Sequence, residues 1–213
     1  MTIVAQKKDK SDYARARSNV YKLLSIAFIK ELSPESIEMF RGNSIKETLK
    51  DLGTAFGEVF YNREPTQLCE ELAEEYAALF ILPGGVNPTE SVTRAGLYMQ
   101  IYADQAVKFY KQCGFILPDD FRGFPDHIGI ELEFISHLSQ KEASAYQNSG
   151  DDEAKRWIEF QKRFLENHLS KWAQEFAKKV ATYSDKPFYQ EMAKLLHEFI
   201  SLETNELVEG INT

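Results

Sequence analysis

The sequence predicts an all-α fold, a single-domain helical bundle of about seven to nine helices, on three observations. Apolar residues recur at three- and four-residue spacings along nearly the whole chain. No run of alternating β-branched residues reads as a strand. Pro, Gly, Ser and Asn fall between the periodic segments, where helix caps and turns need them. A chain of 213 residues suits one domain with a sizeable core. Residues 1–10 read as a flexible N-terminus, 11–205 as the helical domain and 206–213 as a C-terminal tail.

Each helix has its own pattern. Tyr13, Ala16, Val20, Tyr21, Leu24, Ala27 and Phe28 mark one face of a first helix. Ser33-Pro34-Glu35 supplies an N-cap, a proline at the first helical position and an acid in the first turn, and so opens a short helix to about Phe40. Ile45 to Phe60 continues with helical spacing, weakened by Gly53 and Gly57. Pro65 opens a helix whose stripe is Leu68, Cys69, Leu72, Ala73, Tyr76, Leu79 and Phe80, stopped by Pro83-Gly84-Gly85. Ser91 is placed to cap a long helix from Val92 to Cys113, which Gly114 ends. Pro118 to Pro125 is a loop. A helix from Asp126 to about Gln147 follows, then an aromatic one from Trp157 to Val180 that bends near Asn167-His168. Pro187 opens the last, through Phe188, Met192, Leu196 and Phe199.

Composition narrows the chemistry. Lys and Arg number 25 against 33 Asp and Glu, a net charge of −8, which disfavours bulk phosphate binding and so nucleic acid. Residues 44–90 alone carry net −6. The longest apolar run, Tyr76 to Leu82, is far short of the roughly 20 residues a membrane span needs. With no signal-peptide core near Met1, a cytoplasmic protein without stable membrane insertion is expected. Cys69 and Cys113 form no disulfide framework or zinc cluster, and their places on apolar stripes read as inert thiols. Phosphate-loop, dinucleotide and nucleophile-elbow motifs are absent from the sequence.

Two clusters stand out. In Asp126-His127-Ile128-Gly129-Ile130-Glu131-Leu132-Glu133, a helical advance of about 100° per residue places His127 and Glu131 inside the apolar arc, with Glu133 and His137 opposite. A buried carboxylate needs a partner. Glu131 therefore reads as part of a polar network with His127 or a helix end, as the floor of a peptide groove, or as a ligand in a metal-dependent helical enzyme using His127, Glu131, Glu133 and His137. Asp126 either caps the helix or faces a basic ligand. In the second cluster Tyr76, Leu79 and Phe80 share a face beside Glu70, Glu71, Glu74 and Glu75. The apolar run continues through Ile81 and Leu82 to Pro83, more apolar surface than one amphipathic face requires. An apolar groove with an acidic rim suits a peptide with hydrophobic and basic parts.

Taken together, Tyr76-x-x-Leu79-Phe80, Pro83-Gly84-Gly85, Glu90-Ser91-Val92, Gly114-Phe115 and Pro125-Asp126-His127-Ile128-x-x-Glu131-Leu132-Glu133-Phe134 resemble the TorD/DmsD/NarJ family of molybdoenzyme maturation chaperones. Phe164-Leu165-x-x-His168-Leu169-x-x-Trp172 and Phe188-Tyr189 extend the resemblance over roughly Ser11 to Glu203. It implies a TorD-like, cytoplasmic, non-enzymatic protein without cofactor or metal. Its implied partner is a molybdoenzyme catalytic subunit, bound at its twin-arginine signal peptide and held back from export until the cofactor is loaded. The implied client-binding positions are Tyr76, Leu79, Phe80, Pro83, Glu90, Ser91, Asp126 and His127, with Glu131 in support. Asp126 and Glu90 would pair with the peptide's arginines. The sequence has Gly123-Phe124-Pro125 where the TorD and DmsD branches carry Glu-Pro before x-Asp-His, a form closer to NarJ-like members. The long helices, joined by loops such as Gly114 to Pro125, permit a domain-swapped homodimer.

Overall fold

A computed structural model describes residues 3–210, with side chains from residue 8. The ends of the expected N-terminus and tail, residues 1–2 and 211–213, lie outside the described residues. The helices are α1 (Ile3–Ile29), α2 (Pro34–Arg41), α3 (Asn43–Asp51), α4 (Gly57–Asn62), α5 (Pro65–Phe80), α6 (Glu90–Ala95), α7 (Ile101–Gln112), α8 (Ile128–Asn148), α9 (Asp151–Asn167), α10 (Ala173–Tyr183) and α11 (Pro187–Glu203). A π-helical turn, Thr204–Glu209, follows α11. The only β-type pairing among the described residues is an isolated antiparallel bridge between Thr89 and His127.

Three segments that read as single helices are each divided in two. Gly53 and Gly57, both with left-handed φ, separate α3 from α4, and Gly96 at φ +76° separates α6 from α7. The aromatic segment breaks at His168, where the expected bend takes the form of a 3₁₀ turn, Leu169–Lys171. Ser33 caps α2 as expected, accepting from the Ser36 N–H. Thr89 rather than Ser91 precedes α6, and His127 rather than Asp126 caps α8. The α1 helix begins at Ile3, within the segment read as flexible.

Helix α8 is the centre of the bundle, packed between α1 and α9 and buried around nearly its whole circumference. Its contact with α1 is set by a repeat of small residues. Ser25 Oγ donates to the Gly129 carbonyl (2.8 Å), Ser18 Oγ to the Ser136 carbonyl (3.0 Å) and Ser11 Oγ to the Ala143 carbonyl (3.0 Å). Both series step by about one heptad and run in opposite directions, the register of an antiparallel coiled-coil seam. The backbones come so close that a Cβ on Gly129 would lie 2.6 Å from Ile29 Cα. This seam turns α1 so that Tyr13 and Ala16, expected inside, face outward, while Ser11, Arg17 and Ser18 are buried.

Burying Arg17 creates a polar junction in the core that draws on four helices. Its Nε and Nη2 grip Glu203 of α11 (2.8 and 2.6 Å), Nη1 reaches Glu142 of α8 (3.0 Å) and Nη2 reaches Gln161 of α9 (2.8 Å). Tyr21 also donates to Glu203 (2.8 Å). Burial opposes the guanidinium charge, but Glu203 and then Glu142 outweigh it and raise its pKa. Burial pushes the Glu142 carboxyl up, against the pull of Arg17. Four helices thus meet on one side chain. Arg17→Met should destabilise the fold by about 3–5 kcal/mol, because it strands two buried carboxylates. Urea unfolding followed by circular dichroism measures this, and a loss below about 1 kcal/mol would show that the junction is not needed.

Candidate functional site

Three connecting segments converge at one end of α8, and backbone bonds tie them together. The Glu90 N–H donates to the Asp126 carbonyl (2.9 Å) and the Ile128 N–H to the Pro88 carbonyl (2.8 Å). The Ser91 N–H donates to Asp126 Oδ2 (2.8 Å), and the Gln100 N–H to Ser91 Oγ (3.1 Å). Asn87 Nδ2 donates to the Tyr98 hydroxyl (2.5 Å), and the Tyr98 ring stacks on Phe124 with centroids 4.6 Å apart. Tyr110 OH closes the third segment by donating to the Pro125 carbonyl (2.8 Å).

Asp126 and Glu90 are therefore inside the protein, each with no exposed surface. The expectation that they rim an arginine site is corrected: their carboxylates face inward because the paired segments enclose them. Asp126 orients the first turn of α6 through Ser91. His127 is partly buried, and its Nδ1 accepts the Gly129 N–H (3.1 Å). Glu131 does not bond His127. It accepts from Trp172 Nε1 (3.0 Å) and lies in hydrogen-bond reach of Glu90. Glu90 in turn meets His168 Nδ1 at 2.7 Å and is bonded by Arg94. Burial first, and then the Glu90 charge, pushes the Glu131 carboxyl well above the usual carboxylate range.

The four-residue metal set is also corrected. Glu133 pairs with Lys22 near the surface (2.5 Å), and the His137 ring lies against Phe115. Neither is near Glu131, because helical spacing puts them on other faces of α8. The cluster of possible metal ligands among the described residues is instead Glu90, Glu131 and His168. Glu131 was legible as a polar residue in an apolar arc. His168 and Trp172 sat in a quoted motif without an assigned partner, since Glu90 is 78 residues from His168.

Tyr76 and Leu79 belong to the core. Tyr76 donates to the Phe28 carbonyl (3.3 Å), and half-buried Phe80 packs on Phe28, Phe176 and Tyr189. Helices α1, α10 and α11 cover most of this face, so only its edges reach surface hollows: Leu79 lines one of about 350 Å³ with Leu82 and Pro83. What remains open is the end of α5. Ile81 and Leu82 are 62% and 57% exposed, and Pro83 is exposed beside them. Tyr76 and Ile81 edge a hollow of about 490 Å³ with Lys30, Glu31, Leu32 and Ser33. Of the acids on α5, Glu75 accepts from Ser184 Oγ and the Asp185 N–H (2.6 and 2.8 Å), and Glu71 pairs with Arg63, so both serve the fold. Glu70 and Glu74 remain exposed. Beyond α6, Leu97, Tyr98, Met99 and Ile101 are each at least half exposed, and Met99 holds a left-handed φ of 52°. Another hollow, of about 610 Å³ between α1, α3 and α11, contains none of the predicted site residues. Cys113 is buried, its thiol pushed up to about 11 by burial, and burial also raises Cys69. No helix among the described residues is long and apolar enough to cross a membrane.

Burial lowers the His127 pKa from 6.5 to about 4. The neutral ring carries the cap, so its contribution is complete above about pH 6.5 and is lost as pH falls toward 4. His127→Asn, which keeps a capping oxygen but does not titrate, should flatten this part of the stability curve. Urea midpoints of both proteins across that window check it, and parallel curves would remove His127 as the titrating group.

Residues 42–178 match the nitrate reductase delta subunit family, and the chain belongs to that family. It is 27% identical to the chaperone protein TorD of Shewanella loihica, over 93% of this chain and 96% of that one. It is 28% identical to TorD of Vibrio vulnificus, covering 90% and 94%. The selenate reductase assembly chaperone protein of Thauera selenatis is 29% identical over 68% of this chain and 75% of its own. A crystal structure described as a redox enzyme maturation protein from Archaeoglobus fulgidus shares the fold, with a TM-score of 0.57 at 21% identity over 87% and 93% of the two chains.

Proposed function

We propose that this chain is a cytoplasmic, non-enzymatic chaperone that binds the precursor of a molybdenum-cofactor reductase at its twin-arginine signal peptide and withholds it from export until the cofactor is inserted. Family membership and similarity to chaperones named for reductase assembly support the general role. One observation carries the peptide-binding reading. Of the twelve large apolar side chains exposed among the described residues, six fall within residues 81–101: Ile81, Leu82, Leu97, Tyr98, Met99 and Ile101. Apolar side chains left exposed this densely along one stretch of chain are what an interaction surface requires.

The charge arrangement fits the same ligand. Exposed Glu70 and Glu74 line the helix that leads to Ile81, and Glu31 flanks the adjoining hollow. Hydrophobic side chains of a signal peptide would cover the apolar surface while its arginines face these acids. Asp126, Ser91 and Glu90 act from within, holding α6 and the 96–100 loop at the angle that presents Leu97 to Ile101. Covering the signal suffices to block export.

Fluorescence polarisation with a labelled twin-arginine signal peptide of a molybdoenzyme encoded nearby tests this. Leu97→Ser with Met99→Ser should weaken binding at least about 10-fold, the loss expected from one apolar anchor. Glu70→Gln with Glu74→Gln should weaken binding at low salt and little at high salt. Changing the peptide's arginine pair to alanine should remove that salt dependence. Absence of binding by the natural protein, or undiminished binding by the Leu97/Met99 variant, would overturn the reading.

A further inference from the structure

Glu90, Glu131 and His168 come from three different helices or their ends and meet in the interior, with 0%, 0% and 2% exposure. Their ligand atoms lie within 4.8 Å of one another. Three of the four carboxylate oxygens have donors or a ring nitrogen: Glu90 Oε1 meets Arg94, Glu90 Oε2 meets His168 Nδ1, and Glu131 Oε2 meets Trp172 Nε1. Glu131 Oε1 is fully enclosed and accepts from no N–H or hydroxyl donor, although the Glu131 carboxyl lies in hydrogen-bond reach of Glu90. Asp126, also fully buried, keeps a second such oxygen, Oδ1.

The charge is unbalanced as well. Three carboxyl groups are gathered here against at most two positive charges, Arg94 and the His168 imidazole, both on Glu90. Stranded buried carboxylates cost several kcal/mol unless a cation or proton joins them. A carboxylate with one orphan oxygen, gathered with a second carboxylate and an imidazole nitrogen, offers the donor set of a divalent transition metal, N with two O. Such an ion holds its donors at about 2.0–2.2 Å, so atoms already this close would need only small side-chain rotations. The His168 ring is held by stacking on Phe164 (4.7 Å between centroids) and Glu131 by the Trp172 indole, the outer bonds that keep ligands oriented. Arg94, about a quarter exposed and packed over the Tyr102 ring, covers Glu90 and would be the side chain that swings to admit an ion.

We infer that Glu90, Glu131 and His168 form a binding site for one divalent transition-metal ion of the zinc or manganese type. It goes beyond the chaperone reading and does not depend on signal-peptide binding. The site's role is to join α6, α8 and the α9–α10 corner, fixing the base on which the 96–101 loop stands.

The test uses the full chain, stripped with chelator and titrated separately with Zn²⁺ and Mn²⁺ by calorimetry at neutral pH, with melting temperature measured in parallel. One equivalent of at least one ion should bind saturably and raise the melting temperature. Affinity should increase with pH, since binding displaces protons. Glu131→Gln keeps the shape and gives Glu90 an N–H partner, so it should fold, yet it should bind at least about 10-fold more weakly. His168→Gln should show the same loss and guards against a folding defect in the first variant. Absence of saturable binding by the natural protein means that a shared proton, not a metal, joins the pair, and overturns the proposal. Equal binding by natural protein and both variants places the ion elsewhere and also overturns it.

Discussion

A helix enclosed on nearly every side must find partners for most of the polar groups it buries, and α8 is such a helix. It carries Glu131, Ser136, Ser139 and Glu142 into the interior. Each one dictates something about a neighbour. Ser136 faces Ser18, Ser139 bonds Gln161, Glu142 takes Arg17, and Glu131 takes the Trp172 indole. These bonds fix α1, α9 and the α9–α10 corner around α8 more specifically than apolar contacts, which tolerate sliding and repacking. The register of the bundle therefore follows from the polar side chains of one helix.

The same logic connects the core to the surface. The buried end of α8 holds Asp126, Glu90 and Ser91, and these determine how the segments on either side leave the bundle. Residues expected to touch a ligand lie behind it instead. The apolar side chains that face outward sit on the loops this buried cluster anchors. A change at Asp126 would thus act on the exposed loop through its support, in the manner of a positioning residue.

The legible parts of the fold were those carried by apolar period and by Pro or Ser at helix starts: α2, α5 and α11 begin where Ser33-Pro34, Pro65 and Pro187 place them. Glu131 was legible too, because a charge inside an apolar arc asks for a partner. Arg17, Gln161 and Glu203 were not. Each reads as an ordinary surface residue until its partners, 125 or more positions away for Arg17, are brought to it. The seam of Ser11, Ser18 and Ser25 was hidden for a related reason. A search for large apolar residues selects Tyr13 and Ala16, whereas close backbone approach selects small ones. The heptad spacing of those serines was the available signal.

That seam also has a bearing on how the chain is made. Ser11 finds its acceptor at Ala143, and Arg17 is not fully paired until Glu203 is in place. During synthesis α1 therefore emerges more than a hundred residues before its partner helix and carries its apolar face without cover. Such long-range pairing slows folding and leaves early segments open to wrong association. The serines and Arg17 lower that hazard. They interrupt the apolar face of α1, formed by Val20, Tyr21, Leu24, Ala27 and Phe28, with polar groups that are matched only by α8 and the helices around it.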